Sequence, residues 1–409
     1  MAITVCLLPF LTIAGPGHTA PADVTMAASI VCAALWVSSR RIAVRIPYAW
    51  GVGGLLLGGA LAATVSAAPP GVAIVLVQDM MLLLWAAVLA LGSQDAAILK
   101  AATRAWGLSA TAYASVMVAA YLLGINALTG VTATEGIRAS YTFGDPNLAA
   151  NYLILSLFVM AACKQPRSTT LRGFGYLMIT AAVMFTASNG AMVTILVAGV
   201  VAVSLSRLRS SGPASAVLVA AGLATVSVLL IGYVRPLIDV TEIRENAASS
   251  IPLLRDSLGR SGSSVDERAT IVKQGMRLFL DGDATGFGPA RTKATFRADQ
   301  APYDREAHND YLATLIERGV VGAVGLLLLV VTTAVYCGRV AVRALPPAYA
   351  EIVPRAWYLA AIAPGLAVSG LFYEVLHFRH LWTWLGLVAA LALVLRQSQP
   401  VVRERKVPR

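Results

Sequence analysis

Apolar runs of roughly 15 to 22 residues, separated by short polar links, recur along the whole chain, and each is long enough to cross a bilayer as a helix. That pattern fixes the solvent in which the chain folds. Of its 409 residues 57% are hydrophobic and only 13% charged, against about 25% charged in a soluble domain. Mean hydropathy is +0.72. The expected fold is all-α, a polytopic integral membrane protein of about 12 transmembrane helices.

The spans fall near residues 2–14, 24–39, 47–68, 71–92, 105–124, 147–163, 172–188, 190–206, 214–234, 319–340, 355–373 and 380–396. The first is the weakest, because it is short, lacks a basic start and precedes Gly15-Pro16-Gly17. Membrane insertion is favoured for it, with a signal-like segment, a half-span or a short helix as the alternatives. Gly53, Gly54, Gly58 and Gly59 read as sites of close helix packing rather than as a break in the third span.

Basic residues cluster in alternate links, as the positive-inside rule requires. Arg40, Arg41 and Arg45 follow the second span, Lys100 and Arg104 the fourth, and Lys164, Arg167 and Arg172 the sixth. Arg207, Arg209, Arg339, Arg343, Arg355 and the basic tail at 397–409 fall on the same side. These links are expected in the cytoplasm, with both termini. The short links at 15–23, 69–70 and near 189 contain no Lys or Arg, and the link at 125–146 has only Arg138.

The one long polar stretch, Arg235 to Ala307, then lies outside, where length rather than charge governs translocation. It holds eleven basic and eleven acidic residues, a balance that argues against a nucleic-acid surface. The net charge of +11 is explained by inner links facing anionic lipid. Cys6, Cys32, Cys163 and Cys337 all lie in or at the ends of spans, so neither a disulfide framework nor a thiolate zinc motif is indicated. With no internal repeat or low-complexity linker, residues 1–409 read as one membrane domain with an embedded outer subdomain at 235–318.

Within that subdomain Ser264 to Leu280 reads as an amphipathic helix, with Arg268 in its first turn. Gly286-Phe287-Gly288-Pro289-Ala290-Arg291 follows, a turn whose backbone N–H groups could approach a phosphate, although a lone Gly-x-Gly is more readily a plain loop turn. His308-Asn309-Asp310-Tyr311-Leu312 and Glu317-Arg318-Gly319-Val320-Val321-Gly322 lead into the next span.

Taken together, the passage from Arg268 to Gly322 resembles the signature region of the O-antigen ligase and polymerase family of membrane glycosyltransferases. The shared elements are Gly-x-Gly, His-Asn-x-Tyr-Leu and Glu-x-Gly. Asp145-Pro146-Asn147, at the start of a span, resembles that family's Asp-Pro-Asn element. One departure is Ser188-Asn189-Gly190, where the family often carries Ser-Arg-Gly. In the family that arginine is thought to hold the donor's pyrophosphate, so here Arg138 is a candidate to supply the charge, or the donor is bound differently.

The resemblance implies an inverting transfer from a polyprenyl (undecaprenyl) diphosphate-linked glycan to a sugar hydroxyl on the outer leaflet of a bacterial inner membrane. It implies no metal, cofactor or nucleotide sugar. Partners are the lipid-linked donor, a glycan or glycolipid acceptor and membrane lipid, with no nucleic acid. The residues suit that chemistry. Guanidinium groups bind phosphate oxygens bidentately and neutralise a leaving diphosphate, which nominates Arg268 and Arg291. A neutral imidazole can take the proton of the attacking hydroxyl, which nominates His308, and a protonated ring could instead stabilise the diphosphate. Asn309, Asp145, Asn147 and Glu317 are candidates to orient the histidine or bind sugar. Each group also has a plainer reading. Arg268 and Arg291 could pair with Asp266, Glu267 or Asp283, and Asp145-Pro146-Asn147 is a good helix start.

Glu374, His377 and His380 have a spacing that could put all three on one helix face, where interface anchoring or sugar contact is favoured over a metal. Asp79 is the clearest ionisable residue within a span, and packing against a polar neighbour is its favoured reading. A transporter of lipid-linked sugar or solute is the rival class, but such carriers concentrate ionisable groups and broken helices at mid-membrane in related halves. Among enzyme readings, ligation to lipid A core is favoured over a polysaccharide polymerase or a protein O-oligosaccharyltransferase.

Overall fold

The computed structural model describes residues 1–11, 20–41, 44–131, 138–237, 261–282, 284–303 and 306–398. Among these residues all regular structure is helical: α1 (Ala2–Leu7), α2 (Pro21–Arg40), α3 (Ala49–Val65), α4 (Pro69–Gly92), α5 (Ala96–Leu122), α6 (Asn126–Thr129), α7 (Pro146–Cys163) and α8 (Thr169–Phe185). There follow α9 (Asn189–Ser211), α10 (Pro213–Leu237), α11 (Ser261–Asp281), α12 (Thr292–Ala298), α13 (Asp310–Val342), α14 (Pro347–Ala350), α15 (Trp357–Ser369) and α16 (Arg379–Gln397). Seven of them, α2, α4, α5, α7, α9, α13 and α16, are long and apolar enough to cross a membrane, and α3, α8, α15 and Pro213–Val226 are shorter apolar helices. This is the architecture of a polytopic membrane protein. The expected first span is a six-residue helix within the described residues, and the basic tail from residue 399 lies outside them.

The bundle has two distinct ends. At one, the Asp310 N–H donates to the Gly370 carbonyl (2.8 Å), Ala139 N–H to Phe185 (3.0 Å), and Arg379 pairs with Asp23 (2.5 Å). At the other, the Gln397 amide donates to Gln94 (2.8 Å), Arg355 N–H to Ala162 (3.1 Å), and Arg209 to Ala341 (2.8 Å). The centre is α16, in which every residue from His380 to Leu395 is buried. Burial on every side places this helix inside the bundle rather than against lipid.

The pairing that positions the site is α3 against α13, made by small residues. A Cβ on Gly54 would lie 2.6 Å from the Gly325 Cα, and one on Gly58 would lie 2.5 Å from the Arg318 carbonyl oxygen. Backbones this close pack without side chains between them. Gly53 differs from the expectation, since a Cβ there would meet nothing within 4 Å. It lies one position round the helix from the contact face.

Helix α13 runs from Asp310 but is broken at Gly319 (φ 63°, ψ −166°), close to the expected boundary between outer subdomain and span. That conformation is almost closed to residues with a Cβ. In an unbroken helix Val320 N–H would bond to the Ile316 carbonyl. Here Val320 N–H donates to Ala284 (3.0 Å), while the Ile316 and Glu317 carbonyls accept from Phe287 (2.9 Å) and Gly288 (2.9 Å). The glycine turn is thereby spliced into the helix ladder.

Candidate active site

Asn309 stands at the N-cap of α13, where the first N–H groups of any helix lack partners. Its side-chain oxygen accepts from Tyr311 N–H (2.9 Å) and Leu312 N–H (3.0 Å). His308, immediately before the cap, is half-buried and has φ +48°. Its backbone N–H donates to Glu374 Oε1 at 3.2 Å.

Glu374 lies on the 370–378 turn that joins α15 to α16, and two aromatic neighbours on that turn receive Arg268. The Arg268 guanidinium lies 5.8 Å from the Phe372 ring centroid and 5.6 Å from that of Tyr373, within cation–π range. Arg268 is the eighth residue of α11, since that helix begins at Ser261 rather than Ser264. Its possible ion pairs with Asp266 and Glu267 involve side chains outside the described set. The structure thus brings Arg268 and His308, forty residues apart in sequence, onto three consecutive residues that the sequence reading nominated only in part.

Tyr373 extends the group to the 186–190 segment, because a Cβ on Gly190 would lie 2.4 Å from the Tyr373 ring. Beside it, Arg138 Nε donates to the Thr186 carbonyl (3.0 Å), and its Nη2 donates to Asn147 Oδ1 (2.9 Å). Arg138 is therefore held next to the turn that carries Asn189. Asp145 caps α7 by accepting from Asn147 N–H (2.6 Å) and Leu148 N–H (3.1 Å). Its helix-start reading is the one the geometry displays.

Glu317 has a structural task as well. Its carboxylate accepts from Ala290 N–H (2.9 Å), Thr292 N–H (3.1 Å) and the Thr292 hydroxyl (2.6 Å). These bonds fix the backbone on both sides of Arg291, which is half-buried. The turn itself is less free than the sequence suggested, because the N–H groups of Phe287 and Gly288 are occupied by α13 carbonyls and do not face a phosphate. Asp283, the other candidate partner of Arg291, lies outside the described residues.

The Glu374, His377 and His380 group does not share a helix face, since α16 begins only at Arg379. Glu374 turns to His308, His377 Nδ1 lies 3.8 Å from Asp79, and buried His380 Nε2 is 3.0 Å from Asn151 Oδ1. Burial pushes the Glu374 carboxyl well above its ordinary value of 4.5, with the nearby carboxylates of Glu317, Glu306 and Asp310 adding to the shift and the His308 N–H opposing it. Close to this group, Arg318 Nη2 and Asp79 form a buried ion pair at 2.6 Å. In sequence Arg318 belongs to the Glu317-Arg318-Gly319 motif, and its partner sits on another span.

Residues 174–327 match the O-antigen ligase family model. The O-antigen ligase-like segment runs from α8 through the first third of α13's membrane portion, and so includes Asn189, Arg268, Arg291, His308 and Glu317. Arg138, Asp145, Asn147 and Glu374 lie outside it. No curated protein matches the chain. The apolar helices describe a multi-pass membrane protein, and residues 174–327 are what is similar to the O-antigen ligase family.

Proposed function

We propose that the chain is an inverting glycosyltransferase of the bacterial inner membrane that transfers a glycan from undecaprenyl diphosphate to a sugar hydroxyl of lipid A core, on the outer face. One observation carries this reading beyond the family match: Arg268 and His308 meet on the 372–374 segment. A base and a diphosphate-binding cation must serve one reacting centre, and that requires such convergence.

In the proposed reaction the His308 imidazole takes the proton of the acceptor hydroxyl as its oxygen attacks the anomeric carbon. The bond from that carbon to the diphosphate oxygen breaks with inversion, and the electron pair leaves on undecaprenyl diphosphate. Arg268 and Arg291 neutralise the developing charge. Arg138, held by Asn147 beside Asn189, supplies the positive charge that the family places at the Asn189 position. Asn309, Asp145 and Glu317 hold the backbone that presents these groups. None of these steps calls for a metal ion or nucleotide.

Deletion of the gene in its source organism, followed by a gel of surface glycans, tests the proposal. Lipid A core without any attached chain supports ligation. Core capped by a single repeat indicates polymerisation instead, and an unchanged ladder removes both.

A further inference from the structure

His308 adopts a left-handed backbone conformation, uncommon for a residue with a Cβ, and contacts of the adjoining residues hold the chain there. The segment that receives them can be identified. Asp310 N–H donates to the Gly370 carbonyl at 2.8 Å, and the Asp310 carboxylate accepts from Val375 N–H (2.9 Å) and Leu376 N–H (3.3 Å). The Tyr311 hydroxyl donates to the Ala367 carbonyl at 2.9 Å. These bonds register the start of α13 against the end of α15 and the 370–378 turn. The contact from His308 N–H to Glu374 Oε1 extends that registration to the histidine itself.

We infer that Glu374 is a positioning residue for His308: by accepting the His308 backbone N–H it fixes the direction in which the imidazole leaves the chain, and so its aim at the acceptor hydroxyl. The inference rests on the reading of His308 as the base. In this role Glu374 touches no substrate. It acts through an accepting oxygen, which a glutamine amide also offers and a methionine thioether offers only weakly. Because the Asp310 bonds remain when Glu374 is replaced, the turn stays docked while the histidine loses this contact.

The test compares Glu374→Gln and Glu374→Met in the full chain, expressed in a strain lacking its own copy, with surface glycan output read on gels. Binding of undecaprenyl diphosphate to the purified variants is the second readout. The Gln variant is expected to keep output within about three-fold of wild type, and the Met variant to lose about 10- to 100-fold, the scale of a misplacement near 1 Å. Affinity for undecaprenyl diphosphate should stay within about two-fold in both, since the donor-binding arginines are untouched.

Wild-type output from the Met variant overturns the inference, and so does a Gln variant as impaired as Met. Donor affinity falling in step with output also overturns it, because the carboxyl would then act on donor binding. If Met fails to accumulate in the membrane, Glu374→Ala replaces it, and failure of both while Gln accumulates marks a folding residue instead. A normal ladder from His308→Ala overturns the base assignment separately, whatever the Glu374 variants do.

Discussion

Arg318 and Asp79 face each other at 2.6 Å, joining the last residue before the break in α13 to the middle of α4. Arg318 Nη1 also donates to the Leu55 carbonyl at 3.3 Å, so a single guanidinium ties α13 to both α3 and α4. Removing one member of a buried pair leaves the other charge uncompensated, at a cost of about 3–5 kcal/mol. Asp79→Leu is therefore expected to lower the thermal midpoint in detergent sharply, and adding Arg318→Met should recover most of the loss. A wild-type midpoint for the single variant would show that the pair does not anchor the helices.

His308→Ala should reduce glycan transfer by about a hundred- to ten-thousand-fold, the range of a lost general base. Binding of undecaprenyl diphosphate should persist. Assay of purified protein with an undecaprenyl-diphosphate oligosaccharide and lipid A core checks this, and undiminished turnover is the contrary result.

Arg268→Lys keeps the charge but loses the fork that binds two oxygens at once. The expected outcome is a weakening of undecaprenyl diphosphate binding by about ten-fold, the equivalent of ~1.4 kcal/mol. Isothermal titration or a thermal-shift series with undecaprenyl diphosphate measures it. Equal affinity would leave Arg268 with its aromatic contacts alone.

The raised Glu374 carboxyl gives stability a pH dependence of defined sign. A carboxyl whose folded pKa exceeds its unfolded value stabilises fully below the unfolded value of 4.5, and that contribution is lost as pH rises towards the folded pKa. Gln cannot ionise. Glu374→Gln should therefore raise the thermal midpoint relative to wild type at pH 8 and not at pH 4. A difference of the same size at both pH values would rule out this origin.

Gly54→Val should destabilise by at least about 1–3 kcal/mol, because its Cβ meets the Gly325 backbone, which cannot move aside. Gly53→Ala, with open space around it, should change stability by about 0.5 kcal/mol or less. Midpoints of the two variants in one detergent give the comparison. Similar losses at both positions would mean that the α3–α13 contact is not the constraint.

The helices were legible because each satisfies its own backbone: the period, the apolar length and caps such as Asp145 and Asn309 all lie within a short stretch of sequence. His308 and Arg268 could be nominated for a similar reason, as chemistry-bearing residues in one polar segment. What joins them could not. Phe372, Tyr373 and Glu374 reach the site only because α15 and α16 bring their connecting turn back over the start of α13, and no local pattern records that return. Asp79 was conspicuous as a charge within a span, whereas Arg318 looked like part of an outer motif until packing put the two together. Gly286 and Gly288 fit their plainer reading as a turn. Their spacing allowed a phosphate contact but favoured a loop turn, and what the sequence did not show is that the turn's N–H groups close the open helix ladder at Gly319.

The interruption at Gly319 divides one continuous backbone into two parts with different supports. Val320 to Val342 answers to α3, against which its backbone packs at Gly325 and Leu329. Asp310 to Arg318 answers instead to the glycine turn, the 370–378 turn and the Asp79 anchor. The residues that follow His308 are therefore held by contacts of their own, separate from those that clamp the longer half of the helix to α3.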